Sequence, residues 1–592
     1  MNPRAEYQSR LEAWRGQIAA LDRIHLAISN GRLVIAAVGV VLLWLAFGRA
    51  QISSWWPIGA AGLFAGVAVY HAIILERSER ARRAEQWYMR GLGRLDGDWI
   101  GRARSGARFA DGHPYARDLD LFGRGSLFEF INTAKTEIGE ETLASWLGTP
   151  GSIEEIAARQ RAVQELRDKL GFREQLAVLA PDDVVSRTSS MAAWSRAEPA
   201  RLDRTHAFVF GVAAAVTAAV AALVFAERIP GRLLILALVG EAIVAWIWRR
   251  RIGQVLRRVG SADHDLAVVA DLLARIETER LEAPRLTALQ ARVAAGGVPP
   301  SRRIAQLRRL VGWLDSTRNQ MFAPLALAIL LPHQLAVAID RWHATHGQLI
   351  LVWLQAIGEL EALAALGTYA FEHPHDVFPA LVREGPIFDG VAIGHPLMHE
   401  ASAVPNDVAL GGSAARVLIV SGSNMSGKST LLRSVGANVV LALAGSPVRA
   451  RSLTLSPVMI GATLRIEDSL QEGRSRFYAE ILRIKTIVDS ARGAGPVLFL
   501  LDEILHGTNS HDRRIGAQAI VKALVDLGAI GIVTTHDLAL TELPVQLGPR
   551  AINVHFEDRL ENGKMVFDYR IKPGVVEHSN ALELMRAIGL EV

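Results

Sequence analysis

Residues 417–432 read VLIVSGSNMSGKSTLL: an apolar run breaks into glycines and serines, presents one lysine and turns apolar again. Val417–Val420 predicts a buried strand and Thr430 onward a helix. The loop between them matches G-x-x-x-x-G-K-[ST] over residues 422–429. Gly422 and Gly427 permit a tight turn that aims main-chain N–H groups inward, and the following helix adds the positive end of its dipole. Gly422, Ser423, Asn424, Met425, Ser426, Gly427, Lys428, Ser429 and Thr430 are therefore candidates to grip a polyphosphate. Lys428 would neutralise the β- and γ-phosphates, and the Ser429 hydroxyl would ligate magnesium.

A loop of this kind needs a second half, a buried strand ending in carboxylates. PVLFLLDEILHGTNS, residues 496–510, supplies one. Val497–Leu501 predicts an apolar strand with Asp502 and Glu503 at its carboxyl end, where open α/β sheets bind ligands. Asp502 would hold magnesium through water, and Glu503 would polarise an attacking water. A third strand, AIGIVTTHD, ends at His536, which would sense the γ-phosphate. From about Ile387 short β-branched runs alternate with helical ones, which predicts a parallel sheet wrapped by helices. Together these readings imply ATP with Mg2+, and its hydrolysis.

The front half is different in character. Half of the 592 residues are hydrophobic, and four apolar stretches come in two pairs: residues 33–48 with 55–75, and 207–226 with 233–248. A helix rises about 1.5 Å per residue, so the longer ones could cross a hydrocarbon core about 30 Å thick. The links RAQISS and ERIPGR are short, as in helical hairpins. Arg23, Arg32, Arg77, Arg80, Arg82 and Arg83 flank the first pair, and Arg249, Arg250 and Arg251 follow the second. The links carry only Arg49, Arg228 and Arg232, so both hairpins are expected to dip in from the cytoplasm and return. Glu241 favours the opposite reading of buried core helices, because an ionisable group at bilayer depth is costly unless it faces protein. The first apolar run starts only at Leu33, so no cleavable signal peptide is expected.

The net charge of +5 suits nucleic acid or an anionic membrane surface and decides neither. With no cysteine, disulfides, thiolate catalysis and cysteine zinc sites are excluded. His343 and His346 could make half a metal site at most, and read as a solvated helix end. Ser152 with Glu155 forms a capping box opening a helix that carries Ile156, Val163 and Leu166. Residues 249–306, charged and poor in aromatics, predict a long exposed arm. The apolar run 321–339 is interrupted by Pro324, Pro332, His333 and Gln334 and predicts a buried helix, with no fifth span.

With its neighbours, the phosphate loop resembles that of the MutS family of ABC-type ATPases. The family's G-P-N-M-G-G-K-S-T is kept at Asn424, Met425, Gly427, Lys428, Ser429 and Thr430. Its D-E-I-G-R-G-T-S-T appears as residues 502–510, and its G-R-S-T-F as Gly473-Arg474-Ser475-Arg476-Phe477. The resemblance implies that Ser475 completes the nucleotide site of a partner subunit. It implies also that Val404 and His555, the latter within Asn553-Val554-His555, pack on the adenine. These motifs cover about residues 395–592. A weaker similarity to the family's core runs through Asp118–Pro150, through Arg159, Gln160, Val163 and Leu166, and through Leu354–Ala370.

The expected fold is therefore multidomain: an α-helical core with two membrane-type hairpins, then a C-terminal α/β P-loop (ABC-type) ATPase domain. The expected domains are residues 1–105 with the first hairpin, 106–205 as first core part, 206–250 as second hairpin, 251–386 as arm and second core part, and 387–592 as ATPase. The resemblance implies a homodimer with composite nucleotide sites and a role on mismatched DNA. The family's F-x-E mismatch reader, connector, clamp levers and helix-turn-helix tail have no recognisable counterpart, which leaves generic DNA contact open. Placement in the inner membrane, with the ATPase in the cytoplasm, is expected. The competing readings are an ABC-type transporter or a protein-remodelling ATPase with no DNA role, and a soluble repair protein whose apolar pairs are core.

Overall fold

The computed structural model describes residues 2–179, 188–259, 263–295, 297–320, 322–465, 476–493, 495–505, 508–536, 538–561 and 564–576. The chain forms two compact units. One comprises Met1–Thr133, Leu143–Glu174 and Leu363–Val592, and the other Ala134–Thr142 with Gln175–Ala362.

In the first unit, α1 (Pro3–Leu43) and α2 (Trp55–Asp96) form an antiparallel hairpin. Both helices run far beyond their apolar stretches, and α1 continues unbroken through Asn30 and Gly31, which precede its apolar run. Asn2 caps α1, its Oδ1 accepting from Arg4 N at 3.0 Å with Pro3 at the first turn. Gly97, at φ +78°, ends α2. The charged halves pack as a soluble pair does. Tyr7 is fully buried between the rings of Trp87 and Tyr88, and it fits only because Gly91 has no side chain: a Cβ there would lie 2.4 Å from the Tyr7 ring. Arg15–Glu85 and Arg82–Asp22 ion pairs, at 2.8 and 3.0 Å, bridge the two helices. Toward the link the packing gives way to exposed apolar side chains, Phe47 at 71% and Trp55 at 75% exposure. Further along, Ser152 caps α3 (Ile153–Asp168), its hydroxyl accepting from Glu155 N at 3.2 Å.

In the second unit, α4 (Arg204–Phe225) is capped by Asp203 and turns back into α5 (Arg232–Val259). Residues 263–316 are not an extended arm. They fold as α6 (Asp263–Thr278), α7 (Pro284–Ala294) and α8 (Pro300–Ser316), with α6 packed on α8. The reason is a stripe of fully buried side chains at helical spacing, Val269, Leu272, Leu273 and Ile276 facing Ile304, Leu307 and Val311. The 321–339 run is likewise two helices, α9 (Ala323–Ala328) and α10 (Leu331–Glu372), with a break at Leu330, whose φ is +49°. Pro332 sits in the first turn of α10, where its missing N–H is harmless. His343 is buried mid-helix in α10, not solvated, and its Nε2 lies 2.9 Å from the Trp194 carbonyl. No group of three or more metal-ligating side chains occurs among the described residues.

Among the described residues four helices are long and apolar enough to cross a membrane: Pro3–Gly48, where a π turn extends α1, together with α2, α4 and α10. The apolar windows of the first three are 0, 11 and 17% buried, whereas that of α10 is 78% buried. α5 is not among them: its apolar run, 233–248, is short and holds Glu241.

The C-terminal part of the first unit, from residue 363, is α/β with two mixed sheets, so the expectation of one parallel sheet is corrected. The smaller sheet is built from β1 (Ala380–Leu381), β2 (Ile387–Ile393), β3 (Asn406–Gly411) and β5 (Ser452–Leu455), in the order β1-β5-β2-β3, with β2 antiparallel to both neighbours. The larger has the order β10-β9-β4-β8-β7-β6. Its members are β4 (Val417–Ser421), β6 (Met459–Thr463), β7 (Val497–Asp502), β8 (Ile530–Thr535), β9 (Ala551–Glu561) and β10 (Lys564–Pro573). All neighbours in it are parallel except the β9–β10 edge pair. The central strands β4 and β8 are buried at every position, as strands covered on both faces must be. Helix α11 (Lys428–Ala444) follows β4 directly. Asp118 fastens the start of the 118–131 segment to this domain, accepting from Leu464 N, Arg465 N and Arg483 Nη1, each at 2.8 Å.

Candidate functional site

The loop leaving β4 is tight. Gly422, Met425 and Gly427 have φ of +149°, +68° and +103°, and Gly427 caps α11 in the left-handed region, which glycine enters without strain. Lys428 is buried at the first position of α11 and folds back across the loop, its ammonium donating to the Gly422 and Ser423 carbonyls at 2.8 Å each. The Glu503 carboxylate stands 3.7 Å away. Burial pushes Lys428 below the ordinary ammonium range, against the upward pull of Glu503 and Asp502.

β7 delivers the acids. It does not lie next to β4, because β8 is inserted between them. The register pairs Asp502 with Thr534 and Ser421 with Thr535, so both chain ends emerge on the same side of the sheet. There the Ser429 hydroxyl donates to Asp502 Oδ2 at 2.6 Å, and the Thr534 hydroxyl donates to Asp502 Oδ1. Glu503 follows in the left-handed region at φ +49°, held by its N–H on the Thr534 hydroxyl at 3.1 Å. His536 pairs with Glu503 through Nε2. The next turn is pinned by buried Glu480, which accepts from Leu505 N at 2.6 Å.

Of these groups Lys428, Ser429 and Glu503 border a cavity of about 450 Å³, while Asp502 and His536 are not in its lining and reach it through Ser429 and Glu503. Asn424, Met425, Gly427, Lys428, Ser429, Thr430 and Glu503 line it, whereas Gly422, Ser423 and Ser426 lie behind it in the loop. The Ser423 and Ser426 hydroxyls are buried without a protein hydrogen-bond partner. Val404, Phe556 and Tyr569 line the cavity too; a Cβ at Gly427 would lie 3.2 Å from the Tyr569 ring, and Asn406 braces the Tyr569 carbonyl at 2.9 Å. His555 is not in the lining; its Nδ1 lies 3.3 Å from the Gly574 carbonyl. His395 also lines the cavity, and burial, with the Arg433 charge beside it, lowers its pKa to about 4. Ser475 lies outside the described residues. Reasoning from the sequence missed Thr534, Tyr569 and Glu480. Thr534 was legible one residue before the T-H pair; Tyr569 and Glu480 carried no local signal.

Chemically, a lysine, a hydroxyl–carboxylate pair and a second carboxylate held by an imidazole converge beside the loop, with the Tyr569 ring packed against Gly427. Hydroxyl and carboxylate oxygens suit a hard divalent cation.

The same segment carries the likeness to known proteins. Residues 418–591 match MutS domain V. Over residues 418–591 the chain is of the MutS family. It is 33% identical over 241 residues to a DNA mismatch repair protein MutS of Natronomonas pharaonis, covering 40% of this chain and 27% of that protein. With a DNA mismatch repair protein MutS of Methanosarcina mazei the identity is 30% over 272 residues, 44% of this chain and 29% of the relative. A Geobacillus kaustophilus protein of the same name gives 32% over 272 residues, again 44% and 29%. The chain thus matches under a third of the length of these MutS relatives. The MutS domain V match begins inside β4, so the loop, both acids and Tyr569 all fall within it.

Proposed function

We propose that this MutS-family chain is a magnesium-dependent ATP hydrolase, working as a dimer and carried on a membrane by the apolar stretches of α1, α2 and α4. The observation that carries the reading is the 2.6 Å hydrogen bond from Ser429 to Asp502, which joins the loop after β4 to the tip of β7 beside Lys428. Two strand ends that are distant in sequence meet where a triphosphate needs a cation, a metal and a base.

The residues fit such a ligand. The Ser423 and Ser426 hydroxyls lack partners within the loop, Lys428 has an ammonium proton beyond the two it gives to carbonyls, and Ser429 with Asp502 offers oxygen donors for Mg2+. Magnesium, when bound, neutralises charge on the β- and γ-phosphates. Lys428 and the loop amides hold the phosphates, and Val404 and Tyr569 flank the base. Tyr569 lines the cavity where His555 does not, with its ring against Gly427. Glu503 accepts a proton from the attacking water, while His536, paired with it, fixes the carboxylate's orientation. Ser475 reaches the site of a partner subunit, as the family resemblance implies.

The exposed apolar faces of α1, α2 and α4 and the arginines flanking both pairs support insertion from the cytoplasmic side of the inner membrane. The relatives' names point to DNA as partner, bound through backbone contacts whose strength falls with salt.

ATPase rates test the motor. Lys428→Ala should lose nucleotide binding. Glu503→Gln should keep binding and slow hydrolysis about a hundredfold or more. Wild-type turnover by Glu503→Gln would remove the assigned base.

A further inference from the structure

A second cavity, of about 580 Å³, lies within the second unit, between α5 and α9 with the start of α10. Its walls are largely apolar, supplied among others by Leu238, Trp246, Pro324 and Leu327, and Arg249 is also in the lining. Glu241 stands in this wall, 5% exposed, and neither carboxylate oxygen has a hydrogen-bond partner. His333 lines the same cavity, with its Nδ1 buried and also unpartnered. The ring's other nitrogen bonds the Ala245 backbone, which uses the N–H and leaves Nδ1 an acceptor. Arg249 cannot serve as the missing donor: it follows Glu241 by eight residues, about 12 Å along the helix, and its guanidinium lies 4.8 Å over the Trp246 ring.

Two acceptors with no donor on either, in a largely apolar chamber whose lining arginine is stacked on Trp246, define what would complete it. A buried carboxylate left unpaired is strongly unfavourable. An anion is repelled by Glu241, and a neutral apolar molecule leaves both acceptors unmet. A bare metal ion needs more ligands than two, and no group of three occurs among the described residues. A primary ammonium brings one positive charge and three N–H donors, and an apolar body attached to it suits walls and volume in the range of small-molecule sites.

We infer that the cavity beside Glu241 is a binding site for a primary amine with an apolar body. The site is independent of the nucleotide cavity, and its test needs no ATP. The full chain, reconstituted in lipid nanodiscs, is titrated with radiolabelled decylamine, with protein-free nanodiscs subtracted and with decanol and decanoate as competitors. Saturable decylamine binding is expected, displaced poorly by either competitor. Glu241→Gln keeps the shape and removes the charge, so it should weaken binding about tenfold or more. Ala328→Trp should block binding by filling the chamber while keeping the carboxylate; Ala328 lines it too. Equal affinity in Glu241→Gln, equal displacement by decanol, or no saturable binding to the wild type would each overturn the assignment.

Discussion

Glu503 shows how much of this site is decided by single atoms. Its backbone is in a region that a side chain enters with strain, and the Thr534 hydroxyl holds it there. Its carboxylate is shared between Lys428 and His536, so the assigned base rests on an ion pair until substrate arrives. His395, on the cavity's wall, is the residue with the clearest consequence for pH. Burial and Arg433 lower its pKa from 6.5 to about 4. The unfolded chain therefore binds a proton below pH 6.5 that the folded chain refuses until about pH 4. Stability is intact above the unfolded value and is lost as pH falls through that window, on the order of 2 kcal/mol at about pH 5. The thermal midpoint of His395→Asn should accordingly fall less between neutral pH and about pH 5 than that of the wild type. An equal fall would show His395 to be solvated.

At the scale of elements, α11 is the piece on which the site is mounted, and its packing is close enough to be tested by one methyl-bearing substitution. A Cβ at Gly436 would lie 2.5 Å from Leu119 and 2.9 Å from Leu500, both fully buried. Gly436→Val is expected to destabilise the chain by about 1–3 kcal/mol through overpacking, read as a lower urea midpoint. An unchanged midpoint would mean that α11 slides freely on its neighbours. The hairpins teach a different lesson about elements. The apolar stretches of the first hairpin were legible, but its helices, 41 and 42 residues long, run well beyond them, because a helix ends at its caps, here Asn2 and Gly97, and not where hydrophobicity does. The arm expected over 249–306 failed for a related reason. Charge on one face hid the stripe of Val269, Leu272, Leu273 and Ile276 on the other, and only a partner helix gives that stripe a function.

For the whole molecule, the exposed apolar windows of α1, α2 and α4 are its most consequential surface. Side chains such as Leu33, Phe47 and Trp55 have no partner in water that would repay their exposure, and a hydrocarbon phase provides one. The chain should stay in the pellet when membranes are extracted with alkaline carbonate; release into the supernatant would refute the tether. What the sequence determined by itself is everything local in cause: the loop at 422–429, the acids closing β7, the cap at Ser152, and the four apolar runs, each a pattern of neighbours that physics reads in order along the chain. Only the tertiary structure decided that β8 stands between the loop strand and the acid strand, that Tyr569 and not His555 faces the cavity, and that Glu241 is enclosed with no donor. Those outcomes depend on segments far apart in sequence competing for the same space, and no run of neighbouring residues records which of them will win.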